Sequence, residues 1–193
     1  ILLFGSADGL SGVRRNRVIG CGDPGIEVAT RVDVVNNVVL ARAHPAFRAS
    51  AWAVGDGFLV PESVRVVSNT FVSGLAAETV RIADWQDPSL RALVFADNAV
   101  VSESFDAIRV VEAPGAFASG NVVSGGVTGL DHGFVTGNGA GDFVDFSFDL
   151  GRTDVTPALG GALVGRVTER RVDFDLNGRP RALPYDVGAV ERP

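Results

Sequence analysis

Short apolar runs broken by single polar residues fill most of the chain. Val32-Asp33-Val34 and Val64-Arg65-Val66 place every second side chain on one face, the period of a strand. Ile26-Glu27-Val28, Phe58-Leu59-Val60, Val80-Arg81-Ile82 and Ile108-Arg109-Val110 read the same way. Helical spacing is not sustained over any long window, and residues 73–80 could form one turn at most. The pattern predicts an all-β chain of short strands.

The strands come in units. An Asn-x-apolar-apolar motif recurs at Asn16, Asn36, Asn69 and Asn98, with a collapsed copy at Asn121. The steps of 20, 33, 29 and 23 residues lie in the range of solenoid repeats. Each unit reads strand, short turn, strand, Asn, strand, long loop. Asn tolerates the left-handed backbone of a sharp corner. Copies in successive coils can stack so that each amide bonds to the next.

These units resemble coils of a right-handed parallel β-helix, the pectate-lyase-like fold, over about residues 10–130. The resemblance implies three short strands per coil, with about five coils present. The tail carries three further blocks: Thr156-Pro157-Ala158-Leu159, Asp173 to Arg181 (DFDLNGRPR), and Asp186 to Glu191 (DVGAVE). They are similar to the end of bacterial surface β-helix proteins called choice-of-anchor Q. Leu176-Asn177 and Val190 depart from that pattern. In that family the segment closes the C-terminal end of the helix and precedes a cell-surface anchor. The expected organisation is therefore coils over residues 1–148 and a capping segment over 149–193. Asn177-Gly178 signals a hairpin inside the cap, flanked by Asp173, Asp175, Arg179 and Arg181 in turn and ion-pair roles.

Composition narrows the function. The chain of 193 residues is 46% hydrophobic and 21% charged, with 24 glycines for its many turns. All 17 basic residues are arginine, and the net charge is −6. That argues against a nucleic-acid partner, which needs a basic patch. No apolar run approaches the ~20 residues of a membrane span. The single cysteine, Cys21, forms no internal disulfide and reads as a small apolar residue. The chain opens on ILLF without a charged segment, which reads as a piece of a longer protein. The expected setting is extracellular or cell-surface, as a monomer.

β-helix enzymes work on an outer face, where side chains of successive coils line up. Alternation assigns Glu27, Leu59, Arg81 and Arg109 outward on the first strand, and Asp33, Arg65 and Val94 outward on the second. In pectate lyases an arginine removes the proton beside a carboxylate, helped by calcium on nearby acids. The resemblance would give that role to Arg81 or Arg109, with Glu27 or Asp33 near the metal. Otherwise no cofactor is expected. Calcium could also sit at Asp173 and Asp175, whose oxygens suit it. Arginine binds carboxylates through its planar fork, so Glu27, Asp33 and Arg65 join the candidate binding face. Trp52 and Trp85, in long loops, could stack on sugars. The alternative is an exposed face with weak cross-coil pairs such as Asp33 with Arg65. His44 and His132 fall in loops. The polygalacturonase blocks are not matched, since Phe71 follows Asn69-Thr70. Two functions remain. One is a non-catalytic surface module, a stalk or a glycan- or adhesion-binding face. The other is a lyase or hydrolase of an acidic polysaccharide.

Overall fold

The computed structural model describes residues 1–4, 10–54, 57–59, 61–82, 92–111, 115–148 and 152–193. They form a parallel β-helix of five coils, each contributing to three sheets. The first sheet stacks Leu2–Phe4, Ile26–Ala29, Phe47–Ala49, Glu78–Ile82 and the end of the long strand Ala99–Val110. The second stacks Ser11–Arg14, Val32–Val35, Ser63–Val67, Ala92–Ala96 and Phe117–Ser119. The third stacks Arg17–Cys21, Val38–Ala41, Thr70–Ser73, the start of Ala99–Val110 and the start of Asn121–Thr128. Phe134–Thr136 adds a last strand to the third sheet.

The corner between second and third strands splits two jobs that the sequence pattern had merged. Its first residue takes the left-handed conformation: Arg15, Asn36, Ser68 and Asp97 have φ of 58, 54, 55 and 57°, and Gly120 has 68°. The next residue is the ladder asparagine. Asn16 Nδ2 donates to Asn37 Oδ1 at 2.9 Å, Asn37 to Asn69 at 2.9 Å, Asn69 to Asn98 at 3.0 Å and Asn98 to Asn121 at 3.0 Å. Asn121 ends the column on the Gly133 carbonyl at 2.9 Å. The ladder member of the second coil is thus Asn37, and Asn36 is the corner before it.

Inside the coils, alternation holds. Ile26, Val28, Phe47, Val80, Ile82 and Ile108 from the first sheet meet Val34, Val66 and Phe95 from the second and Val39, Phe71 and Val100 from the third in one lumen core. Leu130 plugs the last turn of that lumen. Beside it Gly133, at φ 86°, lies so close to the Ala118 carbonyl that a Cβ would sit 2.2 Å from its oxygen.

A second core lies outside. The third sheet is apolar on both faces, as fully covered parallel strands are. Val38, Leu40, Val72, Ala99 and Val101 face outward and are buried under Leu163, Val167, Tyr185, Val187 and Val190. The C-terminal cap is therefore a cover along the flank of the coils, while residues 129–136 lie against the last coil. The tail hairpin forms at Asn177-Gly178: Gly178 has φ 81°, and Asp175 N–H donates to the Arg179 carbonyl at 2.9 Å.

The cover docks on the corner residues. Asn36 Nδ2 donates to the Phe174 carbonyl at 2.6 Å, and Gly188 N–H donates to the Asp97 carbonyl at 2.9 Å. Asp97 also accepts from the Arg171 guanidinium at 3.2 Å and the Tyr185 hydroxyl at 3.3 Å. At the centre of the cover Arg181 is buried. It donates to Glu191 at 2.6 Å, the Gly188 carbonyl at 2.7 Å, the Asp186 carbonyl at 3.0 Å and Asn36 Oδ1 at 3.2 Å. Its guanidinium lies 5.0 Å from the centre of the Tyr185 ring.

Burial outweighs these partners for two carboxyls. It pushes Glu191 from an ordinary 4.5 up to about 7, against the pull of Arg181. It raises Asp97 too, against Arg171. A carboxyl that titrates higher when folded makes the folded state hold more protons below its folded value. Stability should therefore increase as pH falls from about 8 to about 5, by about 1–3 kcal/mol from Glu191. Urea midpoints at the two pH values check this, and Glu191→Gln should flatten the slope. A midpoint that rises toward pH 8, or an unchanged slope in the variant, would refute it.

Candidate functional site

The first sheet carries one row of charge. Its inward residues fill the lumen, so the residues between them face out. The register pairs Glu27 with Arg48, Arg48 with Arg81, and Arg81 with Arg109. Neighbouring strands lie ~4.8 Å apart, so the three arginines step along the helix axis at that interval. Arg48 Nε lies 3.5 Å from Glu27 Oε1, and Arg81 is 2.6 Å from Glu78. Arg109 is exposed.

Arg48 was not among the residues that alternation singled out. Phe58-Leu59 looked like the first strand of the third coil, but Phe47–Ala49 fills that place. Gly57–Leu59 instead pairs antiparallel with Trp52–Val54 in a hairpin inserted before the second strand. The missed strand has three residues between Pro45 and the insertion, too few for a period to declare itself.

Loops between the third and first sheets build a rim over this row. Asp23, His44 and Glu78 join Arg48 and Arg81 around a depression of about 440 Å³. The Ser73 hydroxyl fixes that loop by donating to the His44 carbonyl at 3.1 Å. Glu78 and Asp106 are register neighbours, as are Arg81 and Arg109 three residues on. Acids and arginines of adjacent coils thus share one strip.

The remaining candidates sit elsewhere. Glu27 heads the row but is buried, held by Arg48 and by the Ser50 hydroxyl at 3.3 Å. Asp33 and Arg65 lie on the second sheet, 3.7 Å apart, with Arg14 on the other side of Asp33 at 2.9 Å. Their row continues to Val94. Trp52 is 42% exposed on the hairpin. Trp85 lies outside the described residues. So the sequence-derived set divides between two faces, with Glu27, Arg81 and Arg109 on one and Asp33 and Arg65 on another.

Chemically the strip presents guanidinium donors beside carboxylates, with Arg48 engaged by Glu27 and Arg81 by Glu78. Among the described residues, no three His, Cys, Asp or Glu side chains converge as a metal site would require. Among them, too, no helix is long and apolar enough to cross a membrane. The chain matches no family model, no curated protein and no solved structure.

Proposed function

We propose that the chain is a non-catalytic extracellular or cell-surface β-helix module, and that the first-sheet strip binds an acidic polysaccharide. The observation that carries this is the in-register row Arg48, Arg81, Arg109. Its step is close to the length of one sugar unit, so successive carboxylates of a uronate polymer meet successive guanidiniums. The solenoid supplies the rigid spacing and the outer cover supplies stiffness. The likeness of the tail to choice-of-anchor Q segments supports a surface setting.

Affinity electrophoresis or calorimetry on polygalacturonate and alginate tests it. Arg48→Ala, Arg81→Ala and Arg109→Ala should each weaken binding about five- to tenfold, and added salt should weaken it further. Neutral polymers should bind poorly. Variants that bind as tightly as the unmutated protein would overturn the reading.

One observation favours a lyase or hydrolase as the second reading: the strip also holds Glu78 and Asp106 beside Arg81 and Arg109. Here Arg81 or Arg109 would act as base. A uronate panel followed by ultraviolet absorbance, with and without calcium, separates the two. Product that disappears in Arg81→Ala or Arg109→Ala would make the strip an active site.

A further inference from the structure

A second groove, of about 430 Å³, runs between the second-sheet corner of the first coils and the C-terminal cover. Arg14, Arg15, Arg65 and Arg171 line it, together with Asn36, Asp173 and Phe174. It lies away from the first-sheet strip and does not depend on the polysaccharide reading.

Its charges do not cancel. Arg14 and Arg65 both lean on the same oxygen of Asp33, at 2.9 and 3.7 Å. Arg171 is answered by Asp97 at 3.2 Å and Glu169 at 2.7 Å, and Asp173 by Arg170 at 3.9 Å. Among the described residues, that leaves Arg14, Arg15 and Arg65 sharing one carboxylate on the coil side, and with Arg171 set against two acids the groove keeps an excess of one positive charge. Arg65 is held in place by a bond from its guanidinium to the Arg171 carbonyl at 3.2 Å. Phe174, 45% exposed, has the Arg15 guanidinium 5.7 Å from its ring centre.

Arg15 supplies an independent sign. It holds the left-handed corner, φ 58°, where the other coils place Asn36, Ser68, Asp97 and Gly120. Arginine is poorly suited to that conformation, whereas Asn, Asp and Gly adopt it readily. Strained residues cluster at binding sites, where what they contact offsets the strain. Here the strained residue itself supplies the charge that the groove's carboxylates do not balance.

We propose that this groove binds a phosphate dianion, free or carried on a sugar. Three guanidiniums that share one carboxylate offer donor forks to the oxygens of a phosphate monoester, and the exposed Phe174 ring offers a stacking face for a carrier.

Isothermal titration with inorganic phosphate, glucose 6-phosphate and glucose tests this. Phosphate should bind with a Kd of about 1 mM or tighter, and glucose should not. Arg65→Gln should weaken binding about tenfold. Arg15→Asn should weaken it similarly while leaving the urea midpoint unchanged or higher, because asparagine suits the corner. Tighter binding of glucose 6-phosphate, with the advantage lost in Phe174→Leu, would identify a carried phosphate. Equal affinities would identify the free ion. Undetectable phosphate binding would overturn the proposal. So would an Arg15→Asn protein with a lower midpoint and unchanged phosphate affinity, which would leave Arg15 only a prop for the cover.

Discussion

Asn69→Ala should destabilise the fold by about 3–5 kcal/mol. Asn69 is fully buried. Its Oδ1 accepts from the Asn37 backbone N–H and from Asn37 Nδ2, both at 2.9 Å. Its Nδ2 donates to the Val34 carbonyl at 2.9 Å and to Asn98 Oδ1 at 3.0 Å. Truncation orphans the Asn37 backbone N–H, strips a donor from the Val34 carbonyl and takes one acceptor from Asn37 Nδ2, which keeps the Val13 and Val35 carbonyls, all where water does not reach. Each buried orphan costs about 1–3 kcal/mol. Asn16 is the comparison. It heads the column, is half-buried, and one of its Nδ2 bonds, to the Arg14 carbonyl at 3.1 Å, is exposed. Asn16→Ala should cost about 1 kcal/mol. Urea unfolding of both variants decides: equal losses would mean that the column is not what holds the corners in register.

Arg181→Met should cost a similar amount, about 3–5 kcal/mol, because it leaves a buried charge without its partner. Glu191 keeps its place at a 15% exposed site with no guanidinium, and the carbonyls of Asp186 and Gly188 lose their donor. Arg181→Met combined with Glu191→Gln should recover part of the loss, since removing both charges removes the desolvation problem. The single variant should also suffer less near pH 5, where Glu191 takes up a proton. A double variant no better than the single one would show that Arg181 acts through its backbone and Asn36 bonds rather than through the ion pair.

Much of this solenoid was legible from alternation and from the asparagine column. Val32-Asp33-Val34 and Val64-Arg65-Val66 state both their period and their faces, and the outward positions on them follow directly. Asn36-Asn37 was harder, because two adjacent asparagines leave the register open by one residue. Only stacking on Asn69 selects the second. Arg48 was hidden by a three-residue strand and by a nearby hairpin that copies its pattern. The flank position of the C-terminal cover had a signal that alternation alone does not interpret. Val38-Val39-Leu40 and Ala99-Val100-Val101 are apolar at consecutive positions, which means that something covers the outside as well as the inside. The sequence could not say that the covering piece was the tail, because that contact joins residues more than a hundred positions apart, such as Thr70 Oγ1 and the Ala189 N–H at 3.1 Å. The groove that brings Arg14 and Arg65 to Arg171 depends on contacts of the same long range.

In a plain solenoid each repeat touches only its neighbours, so it can melt from an end one layer at a time. Here Asn36, Thr70 and Asp97, groups at or just past the corners of the second, third and fourth coils, are all fastened to one segment. No middle layer can open without tearing that segment from the others. The zipper becomes a latch: unfolding should be a single event across these coils, and amide exchange there should share one opening rate rather than a gradient along the axis.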